Sequence, residues 1–541
     1  MADAELDVLV VGAGFAGLYA LHRLRRLGLS VKSYEAAPGI GGTWYWNRYP
    51  GARCDIESLE YSYQFSEPLQ QEWEWTERYA SQPEILAYLN HVADRFELRR
   101  DIELATRIEA AHFDDARDRW TVRTHRGASV AARWLVMATG CLSRPNKPQF
   151  PGLERFRGDI HHTGEWPHGG VDFTGQRVGV IGTGSSAVQS IPIIARQAEH
   201  LHVFQRTATY SVPAHNGPID PDLVRRVKAD YAGFRALSNA ERGAAQFNVN
   251  QVSALAVDAE ERRRVYDARW ARGGLPFLAS FADLILDRQA NATAAEYLHA
   301  RIREVVKDPT VAARLCPTQT FACKRLCVDS GYYETFNRPN VTLVDVRAEP
   351  IEEIIALGLR TRGREYELDS LVFATGFDAM TGALFAIDIR GRDGASLRDA
   401  WAAGPRTYLG VASAGFPNLF LVSGPGSPSV LSNMVASIEQ HVEWISDLIA
   451  HASNADCTRV EPSEQAQDAW VEHVNEVAGA TLYPSCNSWY VGANVPGKPR
   501  LFMPYAGGFP SYRARCLEVA SRGYEGFAMS GRARVSSEVG A

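Results

Sequence analysis

The residues of this chain that most plainly can do chemistry are two glycine-rich stretches at the same spacing. They are Gly12-Ala13-Gly14-Phe15-Ala16-Gly17 and Gly182-Thr183-Gly184-Ser185-Ser186-Ala187. In such a stretch the first glycine permits a tight turn and the second lets the backbone approach a diphosphate. The third small residue lets a helix pack close to a strand. The diphosphate then rests on the helix N-terminus, where free N–H groups and the helix dipole favour negative charge. The spacing alone is a weak signal, and its context makes it strong. The first stretch follows the apolar run Leu6–Val11 and precedes the helical spacing of Leu18, Leu21 and Leu24. A second strand, Leu29–Tyr34, ends on Glu35, whose carboxylate can hold both hydroxyls of an adenosine ribose. The second stretch follows Val178–Ile181, and the strand Leu201–Phe204 brings Gln205 as far beyond Gly182 as Glu35 lies beyond Gly12. There the carboxylate is missing, and Arg206 and Thr207 come next. Nothing then repels a 2′-phosphate, and a guanidinium offers it bidentate attraction, so NADP(H) is expected over NAD(H).

These loops need a scaffold. A chain of 541 residues exceeds what one core usually supports, so about three domains are expected. The hydrophobic fraction of 45% and the charged fraction of 22% are those of an ordinary globular protein. A net charge of −6 leaves no footprint for nucleic acid or an anionic membrane. No apolar run approaches the roughly 20 residues of a membrane span, and the first strand begins too early for a signal peptide. The eight cysteines form no C-x-x-C pair. Cys323 and Cys327 could share a helix face and read as two adjacent buried thiols. Reduced thiols and a cytoplasmic setting are expected.

Beyond Glu35 comes Gly39-Ile40-Gly41-Gly42-Thr43-Trp44, which resembles the second glycine-rich segment of FAD-binding oxygenases and reductases. Trp46, Arg48, Tyr49, Gly51, Arg53, Cys54 and Asp55 follow, a density of rings and charge suited to a loop around an isoalloxazine. Alternation in Trp120–Arg123 and Trp134–Met137 suggests a β-meander ending in Ala138-Thr139-Gly140, a strand-end turn of two-dinucleotide flavoproteins. A second such turn, Ala374-Thr375-Gly376, would close an inserted domain. The expected fold is therefore α/β: an FAD Rossmann-like domain carrying an inserted NADPH Rossmann-like domain and a helical insertion. The expected boundaries are 1–146 and 380–541 for the FAD domain and 147–213 and 331–379 for the NADP domain. An alanine-, arginine- and glutamate-rich segment, 214–330, would wall the substrate side.

Between the two nucleotide sites, Phe156-Arg157-Gly158-Asp159-Ile160-His161-His162-Thr163-Gly164-Glu165-Trp166-Pro167 resembles the F-x-G-x-x-x-H-x-x-x-W-P fingerprint of type I Baeyer–Villiger monooxygenases. Nitrogen- and sulfur-oxidising relatives usually lack its Trp-Pro ending. By its residues alone the stretch is an interdomain linker with a histidine. The resemblance continues through Arg53-Cys54-Asp55, Lys324-Arg325, Ser427-Pro428-Ser429, Asn433-Met434 and Trp489, and looks nearest to phenylacetone and steroid monooxygenases.

The resemblance implies NADPH- and O₂-dependent oxidation of ketones to esters or lactones through a flavin C4a-peroxide. It implies Arg325 as the fixed cation beside the reacting oxygen and Asp55 as its partner. Without it, Lys324-Arg325 reads as a surface dibasic pair. Around FAD it implies Gly12, Gly14, Gly17, Glu35, Thr43, Trp44, Tyr45, Trp46, Asp55, Tyr61, Ile108 and Met434. Around NADP it implies Arg53, Cys54, Thr183, Gly184, Ser185, Ser186, Gln189, Arg206, Thr207, Lys324, Arg325 and Trp489, the last on a mobile segment, 487–505. His162, a conceivable general base, is read instead as coupling domain movement. A metal-free monomer is expected, with a small ketone and O₂ as its partners. The alternatives are a flavin hydroxylase of nitrogen or sulfur and a flavin disulfide reductase. The latter needs two close cysteines by the flavin, where Cys54 stands alone.

Overall fold

Val8, Leu9 and Val10 are wholly buried, because a parallel strand covered on both faces carries apolar side chains at every position. They lie in β1 (Ala4–Val11), at the centre of an eight-stranded sheet in a computed structural model that describes residues 4–531. Its other strands are β2 (Val31–Tyr34), β3 (Ile102–Glu103), β4 (Ile108–Asp114), β5 (Arg119–Thr124), β6 (Ser129–Met137), Asp388–Arg390 and Leu419–Leu421. The order is Asp388–Arg390, β4, β5, β6, β1, β2, β3, with Leu419–Leu421 also on β6. The β6-β1-β2 centre is parallel, and β4-β5-β6 is the antiparallel meander anticipated from its alternation. The helix Phe15–Arg26 follows β1 and buries Leu18, Leu21 and Leu24.

A second sheet is wholly parallel, in the order Val341–Asp345, β9, β8, Ser370–Phe373, β7. Here β7 is Asp159–His162, β8 is Arg177–Ile181 and β9 is His200–Gln205. The helix Ser185–Gln197 follows β8. The stretch Phe156–Pro167 is thus no linker, which corrects the reading from its residues. Its centre is a sheet strand, with His162 level with Phe373. Four residues are too few to show alternation, and their partner strand lies far along the chain.

The segment 214–330 is helical, in Pro221–Ala229, Tyr231–Ala240, Ala259–Arg272, Arg288–Val305 and Pro309–Leu315. Its apolar interior, with Tyr266 packed on Phe277 and Phe281, is continuous with the cores of both sheets. Val227, Tyr231, Tyr266, Ala290 and Leu298 join the apolar core under the first sheet. Ile302, Ala312 and Leu315 join that of the second. The helix Arg288–Val305 therefore pins both domains together.

Cys323 and Cys486 form a disulfide, with Cα atoms 5.6 Å apart, and the other six cysteines are free. This corrects the expectation of reduced thiols throughout. Cys323 and Cys327 share no helix either: Cys323 lies in a turn and Cys327 opens the strand Cys327–Asp329. The bridging partner is 163 residues away, and connectivity set by tertiary packing is not legible from spacing. No helix among the described residues is long and apolar enough to cross a membrane.

Candidate active site

The two fingerprint loops are built alike. Gly12 and Gly182 both have left-handed backbones, with φ of +109° and +120°. A Cβ on either would strike a strand-end turn, at 2.5 Å from the Ala138 carbonyl oxygen or 2.4 Å from that of Ala374. Each helix that follows is capped by a glycine, Gly14 or Gly184, with no side-chain cap and no acid in its first turn. Their leading N–H groups are thus available to a phosphate that no carboxylate repels. Residues and backbone fit one dinucleotide at each loop.

At the first loop Glu35 is buried, and its two oxygens accept from Ala13 N at 2.7 Å and Ala37 N at 2.8 Å. Burial raises its pKa against the pull of those N–H groups. Gly17 lets the helix close on the loop, since a Cβ there would fall 1.8 Å from the Gly12 carbonyl oxygen. Trp44 donates through Nε1 to the Tyr61 hydroxyl at 3.2 Å, and Tyr61 packs edge-on to Phe15. Thr43 is exposed at the start of the short helix Thr43–Trp46. Tyr45 and Trp46 turn the other way, towards His168. Ile108 is buried on β4, near Thr106, whose N–H donates to the Glu35 carbonyl. Met434 begins the helix Met434–Asn454 beside an apolar cluster of Val430, Tyr490, Phe502 and Met503.

Arg325 joins the two halves of this site. Its Nε and Nη2 donate to Asp55 Oδ2 and Oδ1 at 2.5 and 2.8 Å, and Nη1 donates to the Val430 carbonyl at 2.6 Å. One N–H remains on each terminal nitrogen. Burial acts to lower the pKa of Arg325, but the Asp55 carboxylate outweighs it and raises the value. The cation is permanent. Cys54, beside the pair, is buried, and burial raises its pKa, which keeps it a thiol.

At the second loop Gln189 accepts from the Tyr49 hydroxyl at 2.8 Å and donates to the Arg53 carbonyl at 3.1 Å. The flavin-side loop thereby rests on the helix Ser185–Gln197. Ser185 Oγ lies 3.4 Å from Cys327 Sγ, and Ser186 Oγ 3.1 Å from Thr163 Oγ1. Thr183 donates to the Thr207 carbonyl at 2.6 Å. Gln205 turns away from the loop, donating to the Arg314 carbonyl at 2.8 Å, so the place of a ribose-binding acid is vacated as well as neutral. Lys324 has a lowered pKa, first through burial and then through its neighbours Arg206 and Arg347. Arg347, which sequence reasoning missed, donates to Thr207 Oγ1 at 3.1 Å.

Residues 6–256 match the pyridine nucleotide-disulphide oxidoreductase family. The chain is 44% identical to a Baeyer–Villiger monooxygenase of Pseudooceanicola batsensis over 96% of each chain. The chain belongs to the type I Baeyer–Villiger monooxygenase family. It is also 44% identical to phenazine N-monooxygenase of Lysobacter antibioticus, over 97% of each chain. A solved structure of oxidised steroid monooxygenase bound to NADP matches with a TM-score of 0.93 at 55% identity, covering 97% of this chain and 100% of that one. The fold is that of a two-dinucleotide flavoprotein, with FAD and NADPH as its cofactors.

The fingerprint of a Baeyer–Villiger monooxygenase thus has a structural role in this chain. His162 is buried, its Nδ1 accepts from Gly164 N at 2.9 Å and its Nε2 lies 3.2 Å from Thr375 Oγ1. Thr375 in turn donates to the Asn146 carbonyl at 2.6 Å. Burial lowers the pKa of His162, so a neutral ring ties β7 to the strand-end turn and to the edge of the first domain. The Trp489 segment crosses the same place. Asn494 donates to the Phe377 carbonyl at 2.7 Å, and Lys498 pairs with Asp378 at 2.7 Å. Trp489 itself packs on Tyr490, with ring centroids 4.3 Å apart, against the apolar cluster of Val430, Phe502 and Met503.

Arg206→Ala is expected to weaken NADPH binding about ten- to a hundredfold, as losing a charge-assisted contact does. NADH binding should change little. Equal losses for both coenzymes, measured by equilibrium titration, would sink the assignment of Arg206 to the 2′-phosphate.

Proposed function

We infer that this enzyme oxidises ketones to esters or lactones with NADPH and O₂, and that its preferred ketones are bulky, carrying phenyl or fused rings. The observation that carries the reaction is the bidentate Asp55–Arg325 pair, suspended between the flavin loop and the Val430 carbonyl. Bound FAD supplies the electron transfer and the activation of oxygen. The protein supplies fixed charge and dryness. The two free N–H groups of Arg325 are held ready for an oxygen on which negative charge develops, and no reorganisation is needed when it does. Asp55 orients the guanidinium and keeps it protonated. The apolar cluster of Val430, Phe502, Met503 and Tyr490 excludes water beside it. Arg206, Thr207 and Lys324 hold the coenzyme phosphate at the other end of the site.

The loop Ser427–Met434 supports the preference for bulky ketones, because it resembles the pocket-lining loop of relatives that accept them. Its Val430 carbonyl also binds Arg325, so pocket shape and the catalytic cation are coupled. The test is a panel of phenyl-substituted, fused-ring and small cyclic ketones with one aromatic N-heterocycle, incubated with NADPH in air and analysed by product mass. Esters from the aryl and fused-ring ketones are expected. Turnover of small unsubstituted cyclic ketones alone would overturn the substrate class, and N-oxide as the main product would overturn the reaction. We place the enzyme in the cytoplasm as a monomer.

A further inference from the structure

We propose that Arg347 is a coenzyme-selecting residue, holding the 2′-phosphate of NADPH together with Arg206 and Lys324 and orienting the Thr207 hydroxyl towards it. The inference rests on the reading of this site as the NADPH site and adds a cation from the turn after a strand to which no role was assigned.

The sheet places it there. β9 and the strand Val341–Asp345 run parallel, with Asp345 level with Gln205. The chain leaving each strand therefore emerges at the same height, and Arg347 stands opposite Thr207. Its Nη2 donates to Thr207 Oγ1 at 3.1 Å. With a lone pair so engaged, the threonine hydrogen is directed elsewhere and is free to donate to an anion. The backbone of Thr207 is held by the Thr183 hydroxyl on its carbonyl, so the hydroxyl, the guanidinium and the phosphate-binding loop form one connected unit.

The charges point the same way. Arg206, Lys324 and Arg347 are close enough that both arginines lower the pKa of Lys324, after burial itself. None of the three has an ion-pair partner among the described residues. Asp345, the acid nearest in sequence, accepts from the Arg347 backbone N–H at 2.9 Å and makes no ion pair with its guanidinium. Three unpaired cations at the end of a coenzyme-binding sheet repel one another until a doubly charged anion enters. A 2′-phosphate is such an anion, and NADH lacks it. Arg347 is exposed, so its replacement removes no core packing.

The experiment is equilibrium titration of the oxidised, FAD-loaded enzyme with 2′,5′-ADP, 5′-ADP, NADP⁺ and NAD⁺ at several salt concentrations. Arg347→Ala should raise the Kd for 2′,5′-ADP and NADP⁺ about tenfold, leave 5′-ADP and NAD⁺ unchanged, and flatten the salt dependence of NADP⁺ binding. Arg347→Lys should recover part of the loss, because the charge remains and the planar fork does not. Arg206→Ala in parallel separates the two levels of the argument. If Arg206→Ala loses the 2′-phosphate preference and Arg347→Ala keeps it, the inference about Arg347 is wrong. If neither variant alters that preference, the reading of the site itself is wrong.

Discussion

Arg325→Ala should bind FAD, accept electrons from NADPH and yet make almost no ester. On the proposed reading, coenzyme binding and flavin reduction draw on residues at the other end of the site, namely Arg206, Thr207, Lys324 and the two fingerprint loops. None of these hydrogen bonds to the Arg325 side chain, whose three bonds go to Asp55 and the Val430 carbonyl. Oxygen transfer is different, because negative charge must develop on an oxygen in an apolar enclosure. Losing one such preorganised donor elsewhere costs about 10²–10³ in rate. NADPH should still be consumed in air, with hydrogen peroxide rather than ester as the product. Arg325→Lys should fare little better, since an ammonium cannot span both Asp55 oxygens and the Val430 carbonyl in one plane. Asp55→Ala should move in the same direction less completely, for it holds the cation rather than the substrate. Anaerobic stopped-flow reduction beside product analysis in air decides the matter. An ester yield per NADPH near that of the parent enzyme would remove Arg325 from the mechanism.

How much of this was legible beforehand differs from element to element. β1 and β8 could be read because strands buried on both faces are mostly apolar, as Val8–Val11 and Val178–Ile181 are, and the glycine loops between strand and helix put them in register. The absent acid at Gln205 was visible by counting, but not that its side chain would bend to the Arg314 carbonyl. Whatever depended on a distant partner stayed hidden. β7 is a strand only because Ser370–Phe373 lies beside it. Cys323 meets Cys486 through packing that no spacing encodes. Arg347 belongs to no motif in the sequence. Its meaning comes from the parallel pairing of Val341–Asp345 with β9, although the strand-like stretch Val341-Thr342-Leu343-Val344 ending in an acid offered a clue. The segment 214–330 was recognisable as helical from composition, yet its division between two cores follows only from tertiary contacts. Arg325 and Asp55, distant in sequence, meet as the family resemblance implied, and residue patterns alone would have left them apart.

Gly14→Val should give a folded protein without flavin colour. The backbone at Gly14 is ordinary, at φ −83° and ψ −163°, so a valine there meets no conformational penalty of its own. The obstruction is spatial. A Cβ at this position would stand 3.3 Å from the Gly42 Cα, where the two glycine segments of the FAD site face each other, and the two methyl groups of valine reach further. They would also lie over the uncapped start of the helix Phe15–Arg26, where the flavin diphosphate needs bare N–H groups. Gly14→Ala makes the effect graded, since its one added carbon asks the Gly42 backbone to move by only a few tenths of an ångström. Visible flavin absorbance per protein, with circular dichroism and thermal melting as checks on folding, measures the outcome. Gly184→Val provides the matching control. A Cβ at Gly184 would meet no atom of the described residues within 4 Å, so the protein alone tolerates it. That variant should keep its flavin and lose affinity for NADP⁺, because what it would strike is the coenzyme. A Gly14→Val protein that folds and holds flavin normally would show that the diphosphate does not sit on this helix.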